Sequence, residues 1–118
     1  MALTLYGISN CDTVRKARRW LDDAGIEYRF QDFRKDGLEP QTISRWLAQR
    51  SWDEVVNKRS TSWKALPPGE RETMDAQSAA PAIGDAPTLV KRPVLEDDDA
   101  LLEFGFSAGR YQELLGNR

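Results

Sequence analysis

A chain of 118 residues, 40% hydrophobic and 31% charged, is long enough to enclose a core and too apolar for a disordered tail. Its formal net charge of −2 argues against a non-specific nucleic-acid binder, and no apolar run approaches the ~18 residues of a membrane span. One cysteine and no histidine exclude an internal disulfide, a Cys–His catalytic pair and a His-containing metal site, and a structural zinc site cannot be built from one thiol.

The N-terminus does not read as a signal peptide, so the expectation is one cytoplasmic domain covering residues 1–118. Leu3-Thr4-Leu5-Tyr6 reads as a first strand, short and rich in apolar residues. A tight loop, Gly7-Ile8-Ser9-Asn10, follows, and a helix is expected to begin at Cys11 with Ser9 or Asn10 as its N-cap. That places the only thiol where unpaired amides and the positive end of the helix macrodipole converge, an arrangement that favours a thiolate and cradles anions. Arg15 and Lys16, one turn on, would add to the effect, and Asp12 would oppose it. The competing reading is a small buried hydrophobe, which is what a single cysteine often is.

Val14, Ala17, Leu21 and Ala24 form one helical stripe bordered by Trp20, with Arg15, Arg19, Asp22 and Asp23 opposite. Gly25 sits where a left-handed residue ends a helix. From Glu27 to Phe33 the period returns to two, which predicts a second strand and completes a parallel crossover within about thirty residues. Lys35-Asp36-Gly37 marks a turn, and Pro40 opens a helix with Ile43, Trp46 and Leu47 on one side.

Beyond it, Val55-Val56 closes a short helical turn, a helix starts at Pro67-Pro68-Gly69 and runs to about Asp75, and Gln77–Ala86 reads as helical despite Pro81 and Gly84. Lys58-Arg59 and Lys64 beside Trp63 suit either an anionic partner or solvated charges around a core tryptophan. Residues 39–87 together read as a helical insertion. Thr88–Glu96 leads into a third strand, Asp97-Asp98-Asp99 is a solvated turn with no metal expected, and Ala100–Phe104 is a fourth strand. Ser107 caps a last helix, Ala108 to Leu115, which Gly116 ends.

The resulting order, β-α-β, helices, then β-β-α, is the layout of an α/β thioredoxin-like domain with a four-stranded mixed sheet and a helical insertion. In that fold a proline opening the third strand usually follows a cis bond and faces the active-site loop, which draws attention to Lys91-Arg92-Pro93-Val94. Arg92 is then a candidate for binding an oxyanion held at Cys11; the alternative is a surface charge beside a strand-initiating proline.

Three stretches carry a family resemblance: Leu5–Thr13 with Arg15-Lys16-Ala17 and Trp20-Leu21 behind it; Asn57-Lys58-Arg59 with Thr61 and Trp63; and Lys91–Leu95 with Gly105-Phe106. Together they resemble the ArsC/Spx superfamily, most closely its small YffB-like members. The resemblance implies a monothiol oxidoreductase, a glutathione-dependent thiol/disulfide reductase related to arsenate reductases, with glutathione as co-substrate, glutaredoxin as a further partner and a monomeric state. It makes Cys11 the nucleophile, with Asn10, Asp12, Thr13, Arg15, Arg92 and Pro93 binding substrate or anion and Arg59 and Lys91 as further candidates. Departures are also visible. Arsenate reductases of the family carry a histidine where this chain has Gly7, and their second and third oxyanion arginines fall at Asn57 and Phe106. Spx-type regulators use a Cys-x-x-Cys switch, and the second position here is Val14. The other functional class the resemblance implies is an Spx-like adaptor that binds RNA polymerase or another protein without catalysis.

Overall fold

The computed structural model describes residues 2–116; Met1, Asn117 and Arg118, at the ends of the expected 1–118 domain, lie outside the described residues. The described residues up to Asp36, together with those from Arg92 onward, form one compact unit, and Gly37–Lys91 forms a second.

The first unit is built on a four-stranded sheet in the order β2-β1-β3-β4. Strand β1 (Leu3–Gly7) is followed by helix α1 (Asp12–Asp23) and by β2 (Arg29–Asp32), which pairs parallel to β1 with Gly7 opposite Asp32. Gly25 takes a φ of +70° just past the helix end, the left-handed turn that the sequence predicts. Strand β3 (Val94–Asp97) runs antiparallel to β1 with Val94 opposite Tyr6, and β4 (Ala100–Phe104) returns beside it with a register shift between Leu95 and Glu96. Asp98, at φ 54°, makes the tight reversal, a conformation that aspartate tolerates better than most residues.

Alternation decides which side chains face the core of this unit. Leu3, Leu5 and Leu95 meet Ala17 and Leu21 of α1 and Tyr111 and Leu115 of the last helix, with Trp20, Phe30 and Phe106 packed around them. Tyr111 is wholly buried, and the rings of Trp20 and Phe106 stand edge-on to it at 5.7 and 4.8 Å. This is the thioredoxin-like α/β layout, with the other helices intervening between β2 and β3.

The second unit contains α2 (Pro40–Gln49), α3 (Trp52–Val55), α4 (Thr61–Lys64), α5 (Pro68–Glu72), α6 (Ala76–Asp85) and a 3-10 turn, Pro87–Leu89. Helix α2, which buries Ile43 and Trp46, packs against α6, which buries Ala79 and Ile83. Pro81 lies inside α6, and a capping box between Asp75 and Ser78 holds the start of that helix.

The last helix of the chain, α7 (Ala108–Leu115), belongs to the first unit and starts at Ser107, whose hydroxyl accepts the Arg110 amide, as the sequence predicts. The third strand begins at Val94, directly after the proline expected to open it, while Pro87–Leu89 is wound into the 3-10 turn and Val90 makes an isolated bridge to Val56. Two expectations need correcting. The helix opening at Pro67-Pro68 stops at Glu72, short of Asp75. Trp63 does not fill the core: it is half-buried and stacks on Trp52 at 6.3 Å, with Lys58 Nζ 4.9 Å from the Trp52 ring centre. No helix among the described residues is long and apolar enough to cross a membrane.

Candidate active site

The end of β1 delivers the chain to the candidate site. After Gly7, the Cys11 amide donates to the Ile8 carbonyl at 3.3 Å, closing a turn with Ser9 and Asn10 at its corners, both exposed. Helix α1 starts immediately afterwards, with Cys11 itself as the N-cap, φ −99° and ψ 126°. This corrects the assignment of that role to Ser9 or Asn10. The two residues are used up by the turn, and the helical ladder begins one step later, with the Arg15 amide on the Cys11 carbonyl at 2.9 Å. The amides of Asp12, Thr13 and Val14 therefore precede the ladder and have no acceptor within the helix. Cys11 makes no capping hydrogen bond and is half-buried, so its thiol stands at the helix entrance and is not sealed in the core.

Around the thiol the charges are arranged differently from the simplest sequence picture. Arg15 pairs with Asp12, one helical turn apart, and both side chains are more than half exposed. An exposed pair of this kind contributes little to stability, and each charge partly cancels the other's effect on the helix entrance. Lys16 is exposed and Thr13 half-buried.

Gly7 has a packing reason to lack a side chain. A Cβ built there would lie 2.7 Å from Cγ2 and 3.2 Å from Cγ1 of Val14, which is itself wholly buried. Position 7 can hold no histidine unless Val14 moves.

On one side of Gly7 lies Asp32 and on the other, by the register that sets Tyr6 opposite Val94, lies Pro93. The Arg92–Pro93 peptide is cis, as the fold analogy anticipates, and the Pro93 carbonyl accepts the Gly105 amide at 2.8 Å. Arg92 is half-buried and Pro93 buried. The segment Arg92-Pro93 and the Gly7–Cys11 loop thus share one end of the sheet. Arg59 and Lys91 belong to the second unit. There Arg59 is exposed and its amide donates to the Asn57 side chain at 3.0 Å, while the amide of half-buried Lys91 donates to the Val55 carbonyl at 2.9 Å. Of the positions that depart from the arsenate reductase pattern, Phe106 is part of the core packing and Asn57 is engaged in a local turn with Arg59 and Ser60.

Sequence reasoning missed Asp32. The residue is only 5% exposed. One oxygen accepts the amides of Arg34 at 2.7 Å and Lys35 at 3.2 Å, and the other accepts the Ser9 amide at 3.3 Å. Burial by itself pushes this carboxyl up, but those three amides and the Lys35 charge outweigh it and hold it below the ordinary aspartate value. The signal was in the alternation. Tyr28, Phe30 and Asp32 share one phase of the period-two stretch that contains β2, so an acid stands where the period calls for an apolar residue.

The ArsC family model matches residues 6–114, a span that runs from the end of β1 to the last helix. The chain belongs to the ArsC family. A curated relative from Haemophilus influenzae, described as an uncharacterized protein, is 43% identical over 111 residues, covering 93% of this chain and 96% of that one. The global transcriptional regulator Spx of Listeria innocua is 26% identical, over 98% of this chain and 88% of its own length. Among solved structures, a YffB protein aligns with a TM-score of 0.87 at 33% identity, covering 97% of this chain and 99% of that chain. An arsenate reductase (ArsC) related protein from Brucella melitensis aligns with a TM-score of 0.78 at 43% identity, covering 96% and 93%. These relatives include one described as arsenate reductase-related and one described as a transcriptional regulator.

Proposed function

We propose that this ArsC-family protein is a cytoplasmic monothiol oxidoreductase that acts through Cys11 on glutathione-linked disulfides. The observation that carries the reading is the position of Cys11 as N-cap of α1, half-buried and bound by no capping hydrogen bond. A half-exposed sulfur at a helix entrance can be reached by a disulfide, which its thiolate form attacks.

In the first step the Cys11 thiolate attacks the glutathionyl sulfur of a mixed disulfide between glutathione and a second thiol. A bond forms between Cys11 and that sulfur, the old S–S bond breaks, and the other half leaves as a thiolate. In the second step a glutathione thiolate attacks the glutathionyl sulfur of the mixed disulfide, releasing oxidised glutathione and returning Cys11 as thiolate. One glutathione thiolate is consumed per cycle: its sulfur is oxidised to the disulfide level as the departing half of the substrate is reduced to a thiolate, and Cys11 is unchanged. Asn10, Asp12, Thr13 and Arg15 line the anion-facing loop and helix entrance. Arg92 and Pro93, at the same end of the sheet, offer backbone and guanidinium to the substrate, with glutaredoxin as a further reducing partner. Reduction of arsenate is a lesser activity in this reading, because Gly7, Asn57 and Phe106 stand where that chemistry has its histidine and two of its arginines.

Incubation with oxidised glutathione followed by intact-protein mass spectrometry tests the proposal. One glutathione adduct, absent in Cys11→Ser, is the expected result; an unmodified wild-type protein would remove the reading. The likeness to Spx over nearly the whole chain supports a second one, an adaptor that binds RNA polymerase without using its thiol. Polymerase recovered from lysate equally by wild type and Cys11→Ser, with no adduct on Cys11, would favour that alternative.

A further inference from the structure

We propose that Asp32 is a positioning residue for Cys11, the buried carboxylate tying down the turn from which the thiol is presented. The inference rests on the reading of Cys11 as the reacting group, and it adds a residue outside the loop and helix that hold the thiol. Three observations carry it. The turn Ile8–Cys11 has a single hydrogen bond of its own, from the Cys11 amide to the Ile8 carbonyl at 3.3 Å, no shorter than the bond that ties Ser9 to Asp32 and without that bond's charged acceptor. Its first corner, Ser9, donates its amide to Asp32 Oδ2, a residue 23 positions away. Asp32 is in turn held on its far side by the amides of Arg34 and Lys35, and its own amide donates to Asp36 Oδ2 at 3.0 Å. A nearly buried carboxylate with three amide donors is a fixed post, and the Cys11 loop is fastened to it two residues before the thiol. Because Gly7 lies opposite Asp32 in the parallel register, the post stands beside the point where the chain leaves the sheet.

The chemistry of the substitution is specific. Asparagine keeps the shape but has one acceptor oxygen. Two amides, Arg34 and Lys35, compete for that oxygen against one, Ser9, so the side-chain NH2 is left facing the Ser9 amide, donor against donor. Asp32→Ala removes both attachments. The experiment compares wild type, Asp32→Asn and Asp32→Ala by amide hydrogen exchange at Ser9 and by the rate of Cys11 adduct formation with oxidised glutathione, with urea unfolding as a separate reading of the fold. Ser9→Ala, which keeps the amide, is the control and should match wild type.

The expected result is faster exchange at Ser9 and an adduct rate at least fivefold lower in the Asp32 variants, measured under conditions where they are folded. A residue that only supported the fold would lower the urea midpoint and leave the adduct rate of the folded protein alone. Unchanged Ser9 exchange in both variants overturns the inference, as does faster exchange with an adduct rate within twofold of wild type. If wild type forms no adduct, the redox reading falls by itself, and the exchange comparison still decides whether Asp32 holds the turn.

Discussion

Gly7→Ala isolates the contact that shapes the approach to Cys11. The added methyl would sit 2.7 Å from one Val14 methyl and 3.2 Å from the other, and Val14 has no exposed surface into which to rotate. Forcing one methyl into a filled core costs about 1–3 kcal/mol. Alanine also restricts the unfolded chain relative to glycine, which returns about 0.4–1 kcal/mol. A net loss of about 0.5–2 kcal/mol is therefore expected from the single substitution. Val14→Ala removes two buried methyl groups and should cost about 1–3 kcal/mol on its own. With Val14 truncated, the clash disappears while the unfolded-state benefit remains, so Gly7→Ala should be neutral or slightly stabilising in that background. The double-mutant cycle in urea then yields a favourable coupling of about 1–3 kcal/mol, in which the unfolded-state contribution cancels. Additivity of the two substitutions to within about 0.5 kcal/mol would refute the claim that Val14 is what keeps position 7 bare.

Other perturbations test the frame around the site. Tyr111→Phe removes a buried hydroxyl that has no hydrogen-bond partner among the described residues and keeps the ring contacts to Trp20 and Phe106. Thermal unfolding should show a gain of about 1 kcal/mol, and a loss of that size would mean the hydroxyl is satisfied. Tyr6→Phe deletes the donor that lies 2.8 Å from Oε1 of the buried Glu96, and should cost about 1–3 kcal/mol in urea; a neutral result would show that the bond contributes nothing. Asp32 is held below its ordinary value in the folded state, so its contribution is present above the unfolded aspartate value, about 3.9, and is lost as pH falls through the folded one. Stability measured from pH 5 down to pH 2 should fall more steeply in wild type than in Asp32→Asn, and equal slopes would contradict the assignment.

Local chemistry made much of the framework readable. The stripe Val14, Ala17, Leu21 and the left-handed Gly25 set the bounds of α1, Pro40 opens α2, and Ser107 caps α7. Leu89 and Val90, ahead of the third strand, are apolar for another reason than the sheet: they are buried in the second unit, next to the bridge to Val56. Helix α6 continues through Pro81 with a hydrogen-bonded capping box at its start and Ala79 and Ile83 buried, packing information that the proline alone conceals. At the site, the thiol at a helix entrance was legible from strand, turn and stripe. The identity of the N-cap was not, since it depends on the Ile8–Cys11 turn taking up Ser9 and Asn10, and spacing along the chain does not encode that.

Val14 bears on more than packing. A sealed, branched side chain occupies the position three after Cys11, and the sequence contains no other thiol with which a bond could be closed. Whatever sulfur Cys11 joins must belong to a different molecule. Under the proposed thiol chemistry, each disulfide-linked copy is a conjugate that carries the identity of what it met. Trapping those conjugates from cells and sequencing what is attached would give a roster of the protein's clients.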